Sequence, residues 1–179
     1  GSVPSDNPFV DIPNALPEIF SYGHRNMQGL VVMEDGRIFE HEHGPRGGDE
    51  FNLIEPGKNY GWPAITYGID YSGAVISPFT EMDGMEQPLK YWVPSIAPSD
   101  MIYYDGDLYP ELKNSFLITA LKSRDVKKIK KTNGLFSEES IFFNLNSRLR
   151  SIRVSPSGEI YLLTDGRKGK LIKVSITEI

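Results

Sequence analysis

The sequence predicts an all-β fold of short antiparallel strands, and three observations predict it. Apolar runs are short, rich in Val, Ile, Phe and Tyr, and bounded by Gly, Pro, Asn and Asp, the pattern of strands between turns. No segment sustains the 3.6-residue apolar period of a helix; only Pro110-Glu111-Leu112-Lys113-Asn114 reads as a helical turn. A hairpin unit also recurs. Val32-Met33-Glu34-Asp35-Gly36-Arg37-Ile38-Phe39 matches Val154-Ser155-Pro156-Ser157-Gly158-Glu159-Ile160-Tyr161, an offset of 158 − 36 = 122 positions.

Taken in order, strands are expected near 17–22, 29–33, 37–42, 51–54, 88–92, 100–104, 115–121, 125–131, 139–144, 150–154, 159–163 and 170–175. Asp35-Gly36, Asp105-Gly106, Asn133-Gly134, Ser157-Gly158 and Asp165-Gly166 lie between several of them. Gly, Asn and Asp supply the positive φ that tight hairpin turns need. A third hairpin with a longer loop joins Tyr103-Tyr104 to Ser115-Phe116-Leu117-Ile118-Thr119. Three such units form a radial repeat, which a β-propeller of four strands per blade accommodates. The expected blades cover roughly 29–92, 98–147 and 150–179, with strand 17–22 standing before the first. A propeller closes with about four blades or more, so three imply a fragment or a ring shared between chains. A β-sandwich is the other architecture that evenly spaced short strands fit. A parallel sheet would need crossover helices, which the pattern lacks.

Composition narrows the function classes. The 179 residues suit one domain or part of a larger all-β unit, and 39% hydrophobic against 24% charged residues excludes global disorder. No apolar run reaches the roughly 18 residues of a membrane helix. The net charge of −5 argues against a nucleic-acid partner. Cysteine is absent, which excludes disulfides, thiolate metal sites and a Cys nucleophile. Gly1-Ser2 reads as a cloning scar before a domain of residues 3–179, and no signal peptide follows it. The basic run Lys127-Lys128-Ile129-Lys130-Lys131 reads as a solvated edge strand.

Two stretches are dense in polar chemistry. Tyr22-Gly23-His24-Arg25-Asn26-Met27-Gln28-Gly29 precedes a strand, and by its residues alone it favours a turn whose amides cap its own backbone. Glu42-His43-Gly44-Pro45-Arg46-Gly47-Gly48-Asp49-Glu50 leads on to Asn59-Tyr60-Gly61-Trp62-Pro63. Bare backbone carbonyls with carboxylates suit Ca²⁺, and a solvated surface loop accounts for them equally. His43 and Asp165 hold the same place in the repeat, and Lys122 ends the corresponding middle strand.

These motifs, continued in order by Pro94-Ser95-Ile96-Ala97-Pro98-Ser99, Arg148-Leu149-Arg150 and Thr164-Asp165-Gly166, resemble the soluble aldose sugar dehydrogenases that use pyrroloquinoline quinone (PQQ), the glucose/sorbosone dehydrogenase family. The resemblance runs from about residue 4 to the C-terminus. It implies the C-terminal half of a six-bladed β-propeller, with PQQ and Ca²⁺ as cofactors and an aldose oxidised at C1 to a lactone. By the same resemblance Arg25, Asn26, Gln28 and His43 would meet the cofactor, with Arg25 beside the oxygen that gains negative charge. Lys122, Arg148 and Arg150 would take its carboxylates. Carbonyls of Gly44 and Pro45 would bind the catalytic Ca²⁺. A second Ca²⁺ would use carbonyls of Glu50, Tyr60 and Thr66 with the carboxylates of Asp70 and Glu86.

The chain departs from the family at Met27, where the family has Pro. More seriously, His24, His41 and His43 do not match the motif of the family's general base, so the chain alone is expected to be inactive. A missing N-terminal half, or a homodimer in which strand 17–22 completes the partner's last blade, would close the ring. The family implies a periplasmic or secreted location. A non-catalytic propeller that binds a partner or a carbohydrate is the alternative. A lactonase-type propeller would need an inward cluster of Asp, Glu and Asn, against which the Arg/Lys set argues.

Overall fold

A computed structural model describes residues 1–175. Eleven strands are described: β1 Met27–Val32, β2 Ile38–Glu42, β3 Asp49–Ile54, β4 Lys90–Trp92, β5 Pro98–Tyr104, β6 Ser115–Ala120, β7 Val126–Thr132, β8 Leu135–Ile141, β9 Leu149–Val154, β10 Ile160–Thr164 and β11 Leu171–Lys173. They form three sheets, ordered β1-β2-β3-β4, β5-β6-β7-β8 and β11-β10-β9. Each strand lies beside its neighbour in sequence, as expected of hairpins repeated along the chain. The chain divides into two compact units, Gly1–Met27 with Val32–Pro94, and Gln28–Val31 with the chain from Ser95 onward.

The recurring hairpin is built from the same hydrogen bonds twice. In the first copy Met33 N–H donates to Arg37 O at 2.8 Å and Gly36 N–H to Met33 O at 3.0 Å. In the second, Ser155 N–H donates to Glu159 O and Gly158 N–H to Ser155 O, both at 2.9 Å. Gly36 and Gly158 have φ of 86° and 85°, the left-handed conformation that needs no Cβ. The register extends further along each sheet. His43 N–H donates to Asn26 O at 2.9 Å, and Asp165 N–H to Arg148 O at 2.8 Å.

In the second unit, Leu117 and Val126 pack with Leu149, Ile152, Ile160 and Leu162, all fully buried. Polar ties join the same elements. Asp100 accepts from Ser151 Oγ, from Ile152 N at 3.0 Å and from Arg153 Nη1 at 2.5 Å. In the first unit Phe39 stacks on Phe51 at 5.7 Å, and Tyr60, Ile65 and Trp92 are also buried.

Three expectations need correction. Residues 17–22 form no strand: the segment 4–19 is a run of four-residue turns, such as Asn7 N–H to Pro4 O and Ile19 N–H to Leu16 O, both at 3.2 Å. Pro13 and Pro17 remove ladder donors there, and Tyr22 makes only an isolated bridge to Asn59. The strand expected at 139–144 begins earlier, at Leu135, because Asn133 and Gly134 both take positive φ and close a tight hairpin with Thr132 opposite Leu135. It stops before Phe142, which is left-handed at φ 57°. The Lys-rich strand β7 is not an edge, since β8 covers it. Lys127 is buried against Asp125 at 2.7 Å and Lys128 pairs with Glu139 at 2.5 Å, so acids on neighbouring segments take up the first two lysines of the run. The tail 176–179 of the last expected blade lies outside the described residues.

Candidate functional site

Second-strand ends place three of the singled-out residues. His43 follows β2, Asp165 follows β10, and Lys122 lies two residues past β6. The backbone repeat also makes Asn26 equivalent to Arg148 and Gln28 to Arg150, each pair 122 positions apart. Residue types differ at these matched places while the backbone does not.

In the first unit, Arg25 is held from four sides. Its Nη1 donates to His43 O at 2.9 Å and to Gly44 O at 3.0 Å. Its guanidinium lies 5.3 Å over the Trp62 ring. Its backbone N–H, with that of Asn26, donates to Glu42 Oε2 at 2.5 and 2.9 Å. The result is a positioned cation in a turn pinned by a buried carboxylate. Arg25, His43 and Gly44 line one narrow cleft with Glu50, Tyr60 and Thr66. The structure thus brings part of the expected cofactor set together with part of the expected second metal set.

The glycine run after β2 is tight. A Cβ on Gly44 would stand 2.1 Å from Gly47 O and 2.3 Å from Gly48 O. Gly44 N–H donates to the buried carboxylate of Asp49 at 3.1 Å. Pro45 is buried beside it. A carbonyl has two lone pairs, so the Arg25 bond leaves Gly44 O able to accept a cation as well.

Other predicted metal ligands are engaged elsewhere. Asp70 Oδ1 accepts from Ser72 N–H at 2.8 Å and Ser72 Oγ at 2.5 Å, capping its own turn. Glu86 pairs with Lys58 at 2.8 Å. Tyr60 and Thr66 are expected to contribute backbone carbonyls, and their side chains are used locally: Tyr60 OH donates to Leu53 O at 2.6 Å, and Thr66 Oγ1 accepts from Gly68 N–H at 3.1 Å. Among the described residues, the group of three His or acid side chains placed close enough to share an ion is His24, Glu40 and Glu42. That group includes no residue of the expected metal sets.

In the second unit, Arg148 Nε and Arg150 Nη2 reach the same Asp165 oxygen at 3.0 and 3.4 Å. Arg148 holds the Asp165 carboxyl below its usual range. The two guanidinium groups, half exposed, therefore already converge on a carboxylate and exceed it by one charge. Lys122 is exposed, with its backbone N–H on Ile96 O at 3.0 Å.

Glu42, Asp49 and Trp62 are the supporting residues that motif reading missed. Glu42 had one legible signal: it alternates with Glu40 on a strand, which puts both acids on one face. Burial pushes Glu50 up to about 7, with the Glu42 charge adding and the Asn52 hydrogen bond opposing. Burial first and Glu42 second also push Glu40 well above the ordinary range. A raised carboxyl keeps its proton in the fold where the unfolded chain has lost it. Stability therefore falls as pH rises from about 4.5 through about 7. In metal-free buffer, urea unfolding at pH 5 and pH 7.5 is expected to show this loss smaller in Glu50→Gln by about 2 kcal/mol. Equal losses in the two proteins would contradict it.

The sequence profile of the family described as Glucose / Sorbosone dehydrogenase matches residues 1–173. Aldose sugar dehydrogenase YliI of Escherichia coli strain K12 is 42% identical over 179 residues, covering 98% of this chain and 48% of that protein. A crystal structure of a glucose dehydrogenase superposes with TM-score 0.94 at 46% identity, covering 99% of this chain and 52% of that one. The PQQ-bound aldose sugar dehydrogenase of Streptomyces coelicolor superposes with TM-score 0.69 at 25% identity, covering 96% and 48%. The chain spans about half the length of the curated relatives it matches. The fold is all-β, of β-propeller type.

Proposed function

The chain belongs to the glucose/sorbosone dehydrogenase family, and from that premise we propose that it is part of a PQQ- and Ca²⁺-dependent aldose dehydrogenase. The observation that carries this is the convergence of Arg148 and Arg150 on one carboxylate, at the backbone positions that Asn26 and Gln28 hold in the repeat. A tricarboxylic cofactor requires placed cations, and paired guanidinium groups suit carboxylates. The donor set therefore fits the group. When bound, the quinone would supply the hydride acceptor for the sugar's C1, and with the C1 hydroxyl proton passed to a base the product would be a lactone.

The residues of this chain bind, orient and neutralise. Arg148, Arg150 and Lys122 would supply cations for the carboxylates. Asn26 and Gln28 would offer amide donors and acceptors, and His43 an imidazole. Arg25, fixed between two carbonyls and Trp62, would hold positive charge where negative charge develops, at no cost of reorganisation. Carbonyls of Gly44 and Pro45 would serve a Ca²⁺, and Glu50, Tyr60, Thr66, Asp70 and Glu86 a second one after Asp70 and Glu86 release their present partners. The three sheets would be blades of a six-bladed ring, in a periplasmic or secreted enzyme. Its other blades would come from a complementary half. A two-fold homodimer would need an exchange element other than 17–22, and light scattering that gives the mass of one chain at all micromolar concentrations would exclude it.

The test is a titration of the chain with PQQ and Ca²⁺ followed by quinone absorbance. A saturable spectral shift is expected; an unchanged spectrum would overturn the cofactor assignment for this chain. No His here matches the family's general base, and proton removal from the sugar hydroxyl needs one. Dye-linked assays of the 179-residue chain with PQQ, Ca²⁺ and glucose are therefore expected to give no enzyme-like turnover. Turnover by the chain alone would refute that.

A further inference from the structure

Behind the Arg25 turn, in the first unit, an imidazole and two carboxylates face one another. Glu40 and Glu42 share one face of β2. His24 Nδ1 lies 3.9 Å from Glu40 Oε1 and 3.7 Å from Glu42 Oε1. One ligand-type atom from each of the three lies within 4.8 Å of the other two.

Observations beyond the clustering of acids point to a cation. The His24 ring is fixed by its other nitrogen: Nε2 meets Ser21 Oγ at 2.9 Å, and the ring stacks on Tyr60 at 4.5 Å. An imidazole tied through one nitrogen and open at the other is the arrangement of a metal-binding histidine with its supporting partner. That open atom, Nδ1, is buried, has no hydrogen-bond partner, and belongs to a side chain only 8% exposed. Glu40 is wholly buried, and its Oε2 has no hydrogen-bond partner either. Asn52, also wholly buried, donates from Nδ2 to Glu40 Oε1 at 2.8 Å, while its Oδ1 is unpartnered. Three polar atoms, one nitrogen and two oxygens, are thus gathered out of water without a hydrogen-bond partner, and buried polar groups in that state are costly.

We propose that His24 Nδ1, Glu40 and Glu42 bind a divalent first-row transition-metal ion such as Mn²⁺ or Zn²⁺, at a site separate from the Gly44 and Pro45 carbonyls. The ligand set selects the class. Ca²⁺ and Mg²⁺ take all-oxygen sets, whereas an imidazole nitrogen with carboxylates suits the transition ions. The role is structural. Glu42 divides its oxygens: Oε1 faces His24, while Oε2 holds the backbone N–H groups of Arg25 and Asn26. An ion on Oε1 would fix the carboxylate that fixes the turn.

The experiment uses Mn²⁺ as the probe and needs no PQQ, so it stands or falls apart from the dehydrogenase reading. The chelator-stripped chain is titrated with MnCl₂ in a hundredfold excess of CaCl₂, with free Mn²⁺ read by electron paramagnetic resonance. One Mn²⁺ per chain is expected, and Glu40→Gln, an isostere that keeps the Asn52 contact, should weaken it at least tenfold. Crystals of the unaltered chain soaked in MnCl₂ should show an anomalous peak about 2 Å from His24 Nδ1. Absence of a retained Mn²⁺, full binding by a folded Glu40→Gln chain, or a peak away from these three residues would each overturn the proposal. If the variant does not fold, the peak position in the unaltered chain decides.

Discussion

Replacing Arg148 and Arg150 together by alanine is expected to weaken PQQ binding by at least a hundredfold. Two charge-assisted hydrogen bonds at about 1.5–3 kcal/mol each would be lost, and 1.4 kcal/mol is about a factor of ten. The geometry favours a near-additive loss. The side chains are two apart on β9, so they leave one face of the strand, and both already reach one oxygen of Asp165. Both are half exposed, so their removal leaves no buried partner unpaired and the fold should survive. Asp165 would then lose the groups that hold its carboxyl low, which adds repulsion toward an anionic ligand. The measurement is quinone absorbance against PQQ concentration for both proteins, with thermal melts to show that both are folded. Equal affinities would show that the cofactor's carboxylates are held elsewhere.

Gly44→Ala is expected to destabilise the first unit by about 3–5 kcal/mol, in the range reserved for severe steric or core lesions. A Cβ there would meet two backbone carbonyl oxygens at 2.1 and 2.3 Å. Backbone cannot swing aside as a side-chain tip can, so the Gly44–Gly48 loop would have to open. Opening would break the Gly44 N–H bond to Asp49 and displace the carbonyl that holds Arg25. Gly36→Ala is the comparison. Its Cβ would meet nothing within 4 Å, and the strain is only that of a positive φ, roughly 1 kcal/mol. Urea unfolding of both variants checks the contrast. A Gly44→Ala chain no less stable than Gly36→Ala would mean that the loop yields easily.

The strands were legible in the sequence because their signals are local. Short runs rich in Val, Ile, Phe and Tyr and the glycines of the two matched hairpins act within a few residues, and those hairpins recur with the same hydrogen bonds. Boundaries failed where one residue's φ decided them, as at Phe142 and in the Asn133-Gly134 hairpin. The apolar segment 17–22 misled for a related reason. Its residue types suit a strand, but Pro17 at its start, Pro13 upstream and a succession of turns leave no ladder for it to join.

By itself the sequence determined an all-β protein of repeated hairpins, with no membrane helix among the described residues, whose polar motifs are those of the glucose/sorbosone dehydrogenases. The tertiary structure alone decided which groups meet. Strand register put Glu42 under the Arg25 turn, and the close Gly44 loop turned two carbonyls toward the guanidinium. Pairing with β8 buried Lys127 in a strand that reads as exposed, and burial left Glu40, His24 and Asn52 each with an atom that has no hydrogen-bond partner. Residue type and spacing act along the chain, whereas desolvation and unmet hydrogen bonds arise only when distant segments close over a side chain.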